Sequence, residues 1–348
     1  MKITSKKYPS AKGEITVYRL ENESGARVEL STLGAGIAGV AVPDKDGKIG
    51  EVALAYTDPA DYIADGPCLG KCPGRYANRI AKGHLEVDGK LYQLAINNGP
   101  NALHGGPEGF QNQIWQAREL PDGIEFSYHA KDGEEHYPGN LDITATYSWS
   151  EDNVLTLKFH ATSDRDTVIN MTNHAYWNLD GADAGFVGDQ EMLIEADTFL
   201  PTDDTQIPTG EFAPVDGTPM DFKTFKKIGK DLKADYEPLH IGKGYDHCWV
   251  MRGWEPGKMI EDAVVLKSEK SGRTLRVSSD QPGVQIYTGN WLAGSPKNKS
   301  GRSYEDYDGV AIEMQGFPDA PNKPGFPPQS LAPGQTYDRT IVFAFEAK

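Results

Sequence analysis

Leu141-Asp142-Ile143-Thr144-Ala145-Thr146-Tyr147-Ser148-Trp149, then Val154-Leu155-Thr156-Leu157-Lys158-Phe159, alternates apolar and polar residues on both sides of the polar break 150–153. A period of two places Leu141, Ile143, Ala145, Tyr147 and Trp149 on one face of a strand and Leu155, Leu157 and Phe159 on one face of the next. The same signal recurs upstream. Leu85-Glu86-Val87 and Lys90-Leu91-Tyr92-Gln93-Leu94 flank Asp88-Gly89, a pair suited to the positive φ of a two-residue hairpin turn. Asp-Gly occurs eight times, and Gly (38) with Pro (23) supplies the punctuation for many short elements.

Working outward, further strands are expected over 15–20, 27–31, 52–56, 124–128, 263–267, 274–278, 284–288 and 340–345. Sustained helical periodicity is scarce; the best window, 224–232, is short. Many short strands separated by turns predict an all-β fold, a large antiparallel β-sandwich with few short helices. No repeat of 20–50 residues points to a propeller. No linker or charge block divides the chain, so residues 1–348 read as one domain.

Of 348 residues, 35 are Lys or Arg and 51 Asp or Glu, a net charge of −16. Such a chain repels phosphates and anionic lipid, so neither nucleic acid nor a membrane is an expected partner, and a neutral small molecule is the easiest to reconcile. Cys68, Cys72 and Cys248 form no disulfide framework, and C-x3-C without a second ligand pair is no zinc site. No apolar run approaches the ~20 residues of a membrane span. The polar start Met1–Lys7 is not a secretory leader, so a cytoplasmic location is expected.

Gly34-Ala35-Gly36-Ile37-Ala38-Gly39 matches G-x-G-x-x-G, but Val40-Ala41-Val42-Pro43 follows as a strand where a dinucleotide site needs a helix. The glycines therefore read as serving a bent strand. There is no G-x-S-x-G, H-E-x-x-H or P-loop. Acid/base chemistry by His and carboxylate is what remains. Glu313 is the single carboxylate in the apolar run Val310–Gln315, where it faces either solvent, a salt bridge or a site. His174 shares a strand face with Asn170, Thr172 and Tyr176, a polar row able to meet a hydroxylated ligand or to be satisfied internally. His104 sits in the loop Asn98-Gly99-Pro100-Asn101-Ala102-Leu103-His104-Gly105-Gly106, and Arg79 is a possible clamp for oxygen atoms. Asp246 and His247 are adjacent, so only one of them enters a given pocket. His160 continues its strand in phase with Thr156 and Lys158, on a solvated face.

Together these segments resemble the aldose 1-epimerases, or galactose mutarotases. Gly74-Arg75-Tyr76-Ala77-Asn78-Arg79-Ile80, Asn98–Gly106, Thr172–Leu179, Leu200–Asp203 with Ile207–Gly210, Gly244–His247, Gln281–Asn290, and Glu313–Gln315 with Phe317–Asn322 match family motifs, in family order over nearly the whole chain. The resemblance implies a β-sandwich enzyme that interconverts the α and β anomers of free aldohexoses such as glucose and galactose. It implies His174 as general acid and Glu313 as general base. Arg79, His104 and Asp246, with Asn78, Tyr176 and Gln285 from the same motifs, form the expected substrate-binding set. Tyr176, Trp177 and Trp291 are candidates either to stack on the sugar's apolar face or to pack in the core.

No cofactor and no metal are expected, and the chain is expected to be a monomer or homodimer. A charged His174 near neutrality is the hardest requirement, since the ordinary value is about 6.5 and a nearby carboxylate must help. The acid limb of the pH profile is then expected from a carboxylate and the basic limb from a histidine. Two departures from the family pattern, Gly316 in place of a common His and Gln111-Asn112 in place of an Asp/Asn-Lys pair, are expected at the pocket rim. The rival readings are a glycoside hydrolase using Glu313 and Asp246, and a carbohydrate-binding sandwich without catalysis.

Overall fold

The computed structural model describes residues 1–63 and 65–348. Strands Leu141–Trp149 and Val154–Ser163 pair antiparallel across the 150–153 turn, with Tyr147 opposite Leu157 and Ala145 opposite Phe159. They are central in a nine-stranded sheet. Its order is Gln116–Leu120, Gly123–Ala130, Leu141–Trp149, Val154–Ser163, Tyr337–Ala347, Arg273–Ser279, Ile260–Lys267, Glu191–Ile194 and Lys226–Lys227. A five-stranded sheet runs in chain order through Lys2–Ser10, Gly13–Glu21, Arg27–Ser31, Gly36–Pro43 and Ile49–Glu51. A six-stranded sheet is ordered Tyr176–Trp177, Val310–Gln315, Gly283–Tyr287, Asp246–Met251, Ala196–Leu200 and Ala213–Pro214.

The alternation read from the sequence decides what faces what. Tyr147, Trp149, Leu157 and Phe159 of the large sheet share one buried core with Val28 and Val40 of the five-stranded sheet and Val284, Ile286, Ile312 and Met314 of the six-stranded one. This is the expected sandwich: apolar faces inward, polar faces outward. His160 is on the outer face of the large sheet, half exposed, with Nδ1 2.8 Å from Asp338 Oδ1.

Several local expectations are corrected. The window 224–232 is not a helix; it holds the short strand Lys226–Lys227 and a 3-10 turn, Ile228–Lys230. The one α-helix among the described residues is Glu237–Gly242. Residues 52–56 make isolated bridges at Ala53 and Tyr56 in place of a strand. The Gly-rich run 34–39 leads into strand Gly36–Pro43, whose register against Arg27–Ser31 shifts at Glu29/Leu30, as expected for a bent strand. The Asp88-Gly89 hairpin forms with both turn residues at positive φ (50° and 69°).

The six-stranded sheet has an outer face as well. Where Ile312 and Met314 point to the core, Glu313 points away, and on the neighbouring strand Gln285 and Tyr287 do the same. The register sets Gln285 opposite both Cys248 and Glu313, and Tyr287 opposite both Asp246 and Ala311. A polar row is thereby laid across three strands.

Candidate active site

Over this row opens a cleft of about 380 Å³, walled by the loops after Asn98, around Gly66-Pro67 and around Gln206. Glu313 (2% exposed) and His174 (5%) are on its floor, His174 Nε2 3.4 Å from Glu313 Oε1. Among the described residues, Glu313 Oε2 and His174 Nδ1 have no hydrogen-bond partner.

His174 belongs to an extended segment that keeps the expected alternation without a continuous ladder. Met171, Ala175 and Trp177 enter the core, and His174 and Tyr176 face the cleft with their rings 5.1 Å apart. The segment is fixed by residues 70–77. His174 N donates to Lys71 O and Gly70 N donates to His174 O, both at 2.9 Å. Only glycine fits at 70: φ is +71°, and a Cβ would sit 2.0 Å from the Ile37 carbonyl oxygen.

The second wall is assembled by the short ladder Arg79–Ile80 with Ala102–Leu103. It brings His104 against Asn78, whose N–H donates to His104 Nδ1 at 3.1 Å. That bond makes Nδ1 the acceptor and leaves the ring proton on Nε2 as a donor. Burial holds the His104 imidazole well below its ordinary value, hence neutral. The Asp319 segment beyond strand Val310–Gln315 locks this wall in place: Asp319 N donates to Arg79 O at 2.8 Å, and Asp319 Oδ1 accepts from Ala81 N at 2.9 Å. The rigid Phe317–Asn322 stretch is thus architectural, holding Arg79 relative to Glu313.

Arg79 is the one Arg or Lys among the described lining residues. Its Nε donates to Asn98 Oδ1 (3.0 Å) and its Nη2 to Gln206 Oε1 (2.7 Å), with Asp246 Oδ2 at 3.7 Å. Asp246 accepts from Gln206 Nε2 (2.6 Å) and Gln285 Nε2 (2.7 Å), one amide on each oxygen. Asp246 is the member of its pair that enters the cleft; His247 packs in the core against Phe199 and Trp249.

Of the sequence-predicted set, His174, Glu313, Arg79, His104, Asp246, Asn78 and Tyr176 line one cleft. Gln285 does not: it stands behind Asp246 and orients it. Trp177 is a core residue, and Trp291 is at the mouth, 67% exposed. Gly316 and Gln111-Asn112 are buried outside the cleft lining, so the rim expectation is overturned. A side chain at 316 would meet the Gln329 carboxamide at 2.4 Å. Asn98, Gln206 and Tyr287 were missed. Asn98 was inside a quoted loop and Gln206 beside one, but both act through side-chain bonds that no spacing encodes.

Electrostatics also correct one expectation. Burial pushes His174 down to about 4, outweighing the nearby carboxylate Asp246. Burial, reinforced by Asp246, pushes Glu313 well above the ordinary carboxyl value. Both charged forms are penalised, which favours a neutral carboxyl beside a neutral imidazole, with one proton between them.

The family model for aldose 1-epimerase matches residues 16–344. The chain is 41% identical to the galactose mutarotase of Sus scrofa over 337 residues, 97% of this chain and 96% of that one. It is 36% identical to the aldose 1-epimerase of Escherichia coli (strain K12), covering 94% of each. The aldose epimerase homologue from C. elegans superposes with a TM-score of 0.86 at 33% identity, covering 99% of both chains.

Proposed function

The chain belongs to the aldose 1-epimerase family, and from that premise we propose how it interconverts the α and β anomers of free aldohexoses: Glu313 takes the proton of the C1 hydroxyl while His174 protonates the ring oxygen. The observation that carries this assignment is the 3.4 Å between His174 Nε2 and Glu313 Oε1 at the cleft floor. The two oxygens of a hemiacetal share one carbon, so one bound sugar can bring both within hydrogen-bond reach of a carboxyl and an imidazole that stand together on one cleft floor.

The reaction balances on the pair's single proton. Carboxylate with imidazolium, and carboxyl with imidazole, differ only in where that proton is. Sugar hydroxyls hydrogen-bonding to the charged forms favour the first arrangement. Opening moves the O1 proton to Glu313, forms the aldehyde, breaks C1–O5 and transfers the His174 proton to O5. The pair is left neutral, the state that burial favours. Rotation about C1–C2 presents the other carbonyl face, and closure reverses both transfers. His104 Nε2–H, Arg79 and Asp246 supply donors and acceptors for the remaining hydroxyls.

The hydrolase alternative fits poorly. It needs Asp246 as a second working carboxylate, whereas both its oxygens are held by glutamine amides beside Arg79. Polarimetry of freshly dissolved α-D-glucose and α-D-galactose tests the reading; no acceleration over the uncatalysed rate would overturn it.

Two further results are expected. Arg79→Ala should raise KM by about tenfold or more with a smaller change in kcat, because it removes hydroxyl-binding and wall-holding bonds but no proton carrier. A change confined to kcat would contradict this role. The profile of kcat/KM against pH, which reports the free enzyme, should have its acid limb near pH 4. The second proton goes onto His174, pushed down to about 4, and the basic limb is the loss of the proton held by Glu313. This reverses the order expected from unperturbed groups. An acid limb at pH 6–7 would show His174 titrating as an ordinary imidazole.

A further inference from the structure

Behind the Gly66-Pro67 wall is an ion pair that the mechanism does not use. Lys71 (1% exposed) contacts Asp65 Oδ1, and its Nζ donates to Tyr62 O at 2.6 Å and Asn112 Oδ1 at 3.1 Å. Asp65 Oδ2 accepts from Leu69 N (2.8 Å) and Tyr56 Oη (3.3 Å). Neither charge reaches solvent. A buried pair of this kind gains little over apolar residues of equal volume, so stability alone does not account for it.

Its place in the chain does. Asp65 and Lys71 are the two ends of one turn. The middle of the turn, Gly66-Pro67, lines the cleft, and Pro67 O accepts the Tyr176 hydroxyl at 2.9 Å. Its last two residues bond the His174 backbone on both sides, through Lys71 O and Gly70 N. Closing the turn by an ion pair therefore fixes the cleft wall and the main chain of the acid together.

The Asn112 carboxamide oxygen meets the Lys71 ammonium from across the turn. A longer side chain continuing from residue 112 would run into the space that this ammonium fills. We propose that Asp65 and Lys71 are positioning residues for His174, holding its main chain through the closed 65–71 turn. The proposal rests on the mutarotase reading of the site.

The test is a relocation. Full-length Lys71→Ala, the Lys71→Ala/Asn112→Lys double variant and Asp65→Leu/Lys71→Met are compared by circular-dichroism melting and by polarimetry of α-D-glucose below every melting point, with kcat normalised to folded protein. Lys71→Ala should lower kcat about tenfold or more with KM within about threefold, since a misplacement of about 1 Å at the acid costs up to 10²-fold. Adding Asn112→Lys should return kcat to within about threefold of wild type. Wild-type kcat in folded Lys71→Ala, or a folded double variant no faster than Lys71→Ala, would overturn the proposal. Should Lys71→Ala fail to fold, Asp65→Leu/Lys71→Met decides: lowered kcat supports positioning, and wild-type kcat shows a pair that only fills space. A wild-type protein without any mutarotation would overturn the functional reading instead.

Discussion

Glu313→Gln is expected to lower kcat for glucose anomer exchange by about 10²-fold or more while leaving the protein folded. Glutamine keeps the volume and the hydrogen-bonding shape of the protonated carboxyl but cannot take a proton, and general acid/base groups are worth about 10²–10⁴ in rate. The side chain is 2% exposed and has Gln285 as its cross-strand neighbour, so there is room for an amide where a carboxyl already fits. The stability change has a definite sign. Burial raises the folded value above the unfolded one. Such a group contributes stability fully below the unfolded value, and that contribution is lost as pH rises through the folded value. Glutamine is neutral at every pH and escapes the loss. At pH 7 the variant's Tm should therefore equal or exceed that of wild type, and its advantage should shrink toward pH 4. A loss of activity accompanied by a Tm several degrees lower would mean that Glu313 is a structural carboxylate, and the base would have to be sought elsewhere, with Asp246 first.

The outward face that presents Glu313 was legible because period two is a property of the strand itself. Once Ile312 and Met314 are assigned to the core, Glu313 must point the other way. The same logic separated Asp246 from His247 and put His160 in solvent. It also ordered His174 and Tyr176, although their segment pairs irregularly with residues 70–77 and joins a ladder only at Tyr176–Trp177. Legibility stopped where side chains act at long range through one another. Gln285 has the correct strand phase, yet its amide is spent on Asp246, behind the cleft. Gln206 reaches both Arg79 and Asp246 from a turn in which its own φ is +63°. Nothing in its neighbours Thr205 and Ile207 announces that. Residues 224–232 misled for another reason: their amphipathic spacing is satisfied by a short edge strand followed by a 3-10 turn. The protonation of the pair was misjudged because a sequence shows which groups are near in type but not how dry they are. A carboxylate neighbour was expected to hold His174 charged, and burial outweighs it.

His174→Asn carries the second large effect and, combined with Glu313→Gln, the sharper test of the shared proton. Alone it should lower kcat by about 10²-fold, since asparagine can donate a hydrogen bond to the ring oxygen but cannot deliver a proton. Its main chain is already held by Lys71 O and Gly70 N, so the backbone path should persist. His160→Asn is the internal control. It exchanges a histidine that also sits beside a carboxylate, Asp338, but on the far sheet and half exposed. Its kcat should change less than about threefold, as surface substitutions rarely disturb a distant site. If each of the two floor residues contributed independently, the double variant would lose the product of the single losses. Ring opening needs both transfers, O1 to Glu313 and His174 to O5, so the two groups act as a unit: once either is gone, removing the other costs little more. The double variant should therefore be scarcely slower than the worse of the two single ones. A fully multiplicative loss would mean that His174 and Glu313 contribute independently to the barrier. The 3.4 Å between them would then be proximity without coupling.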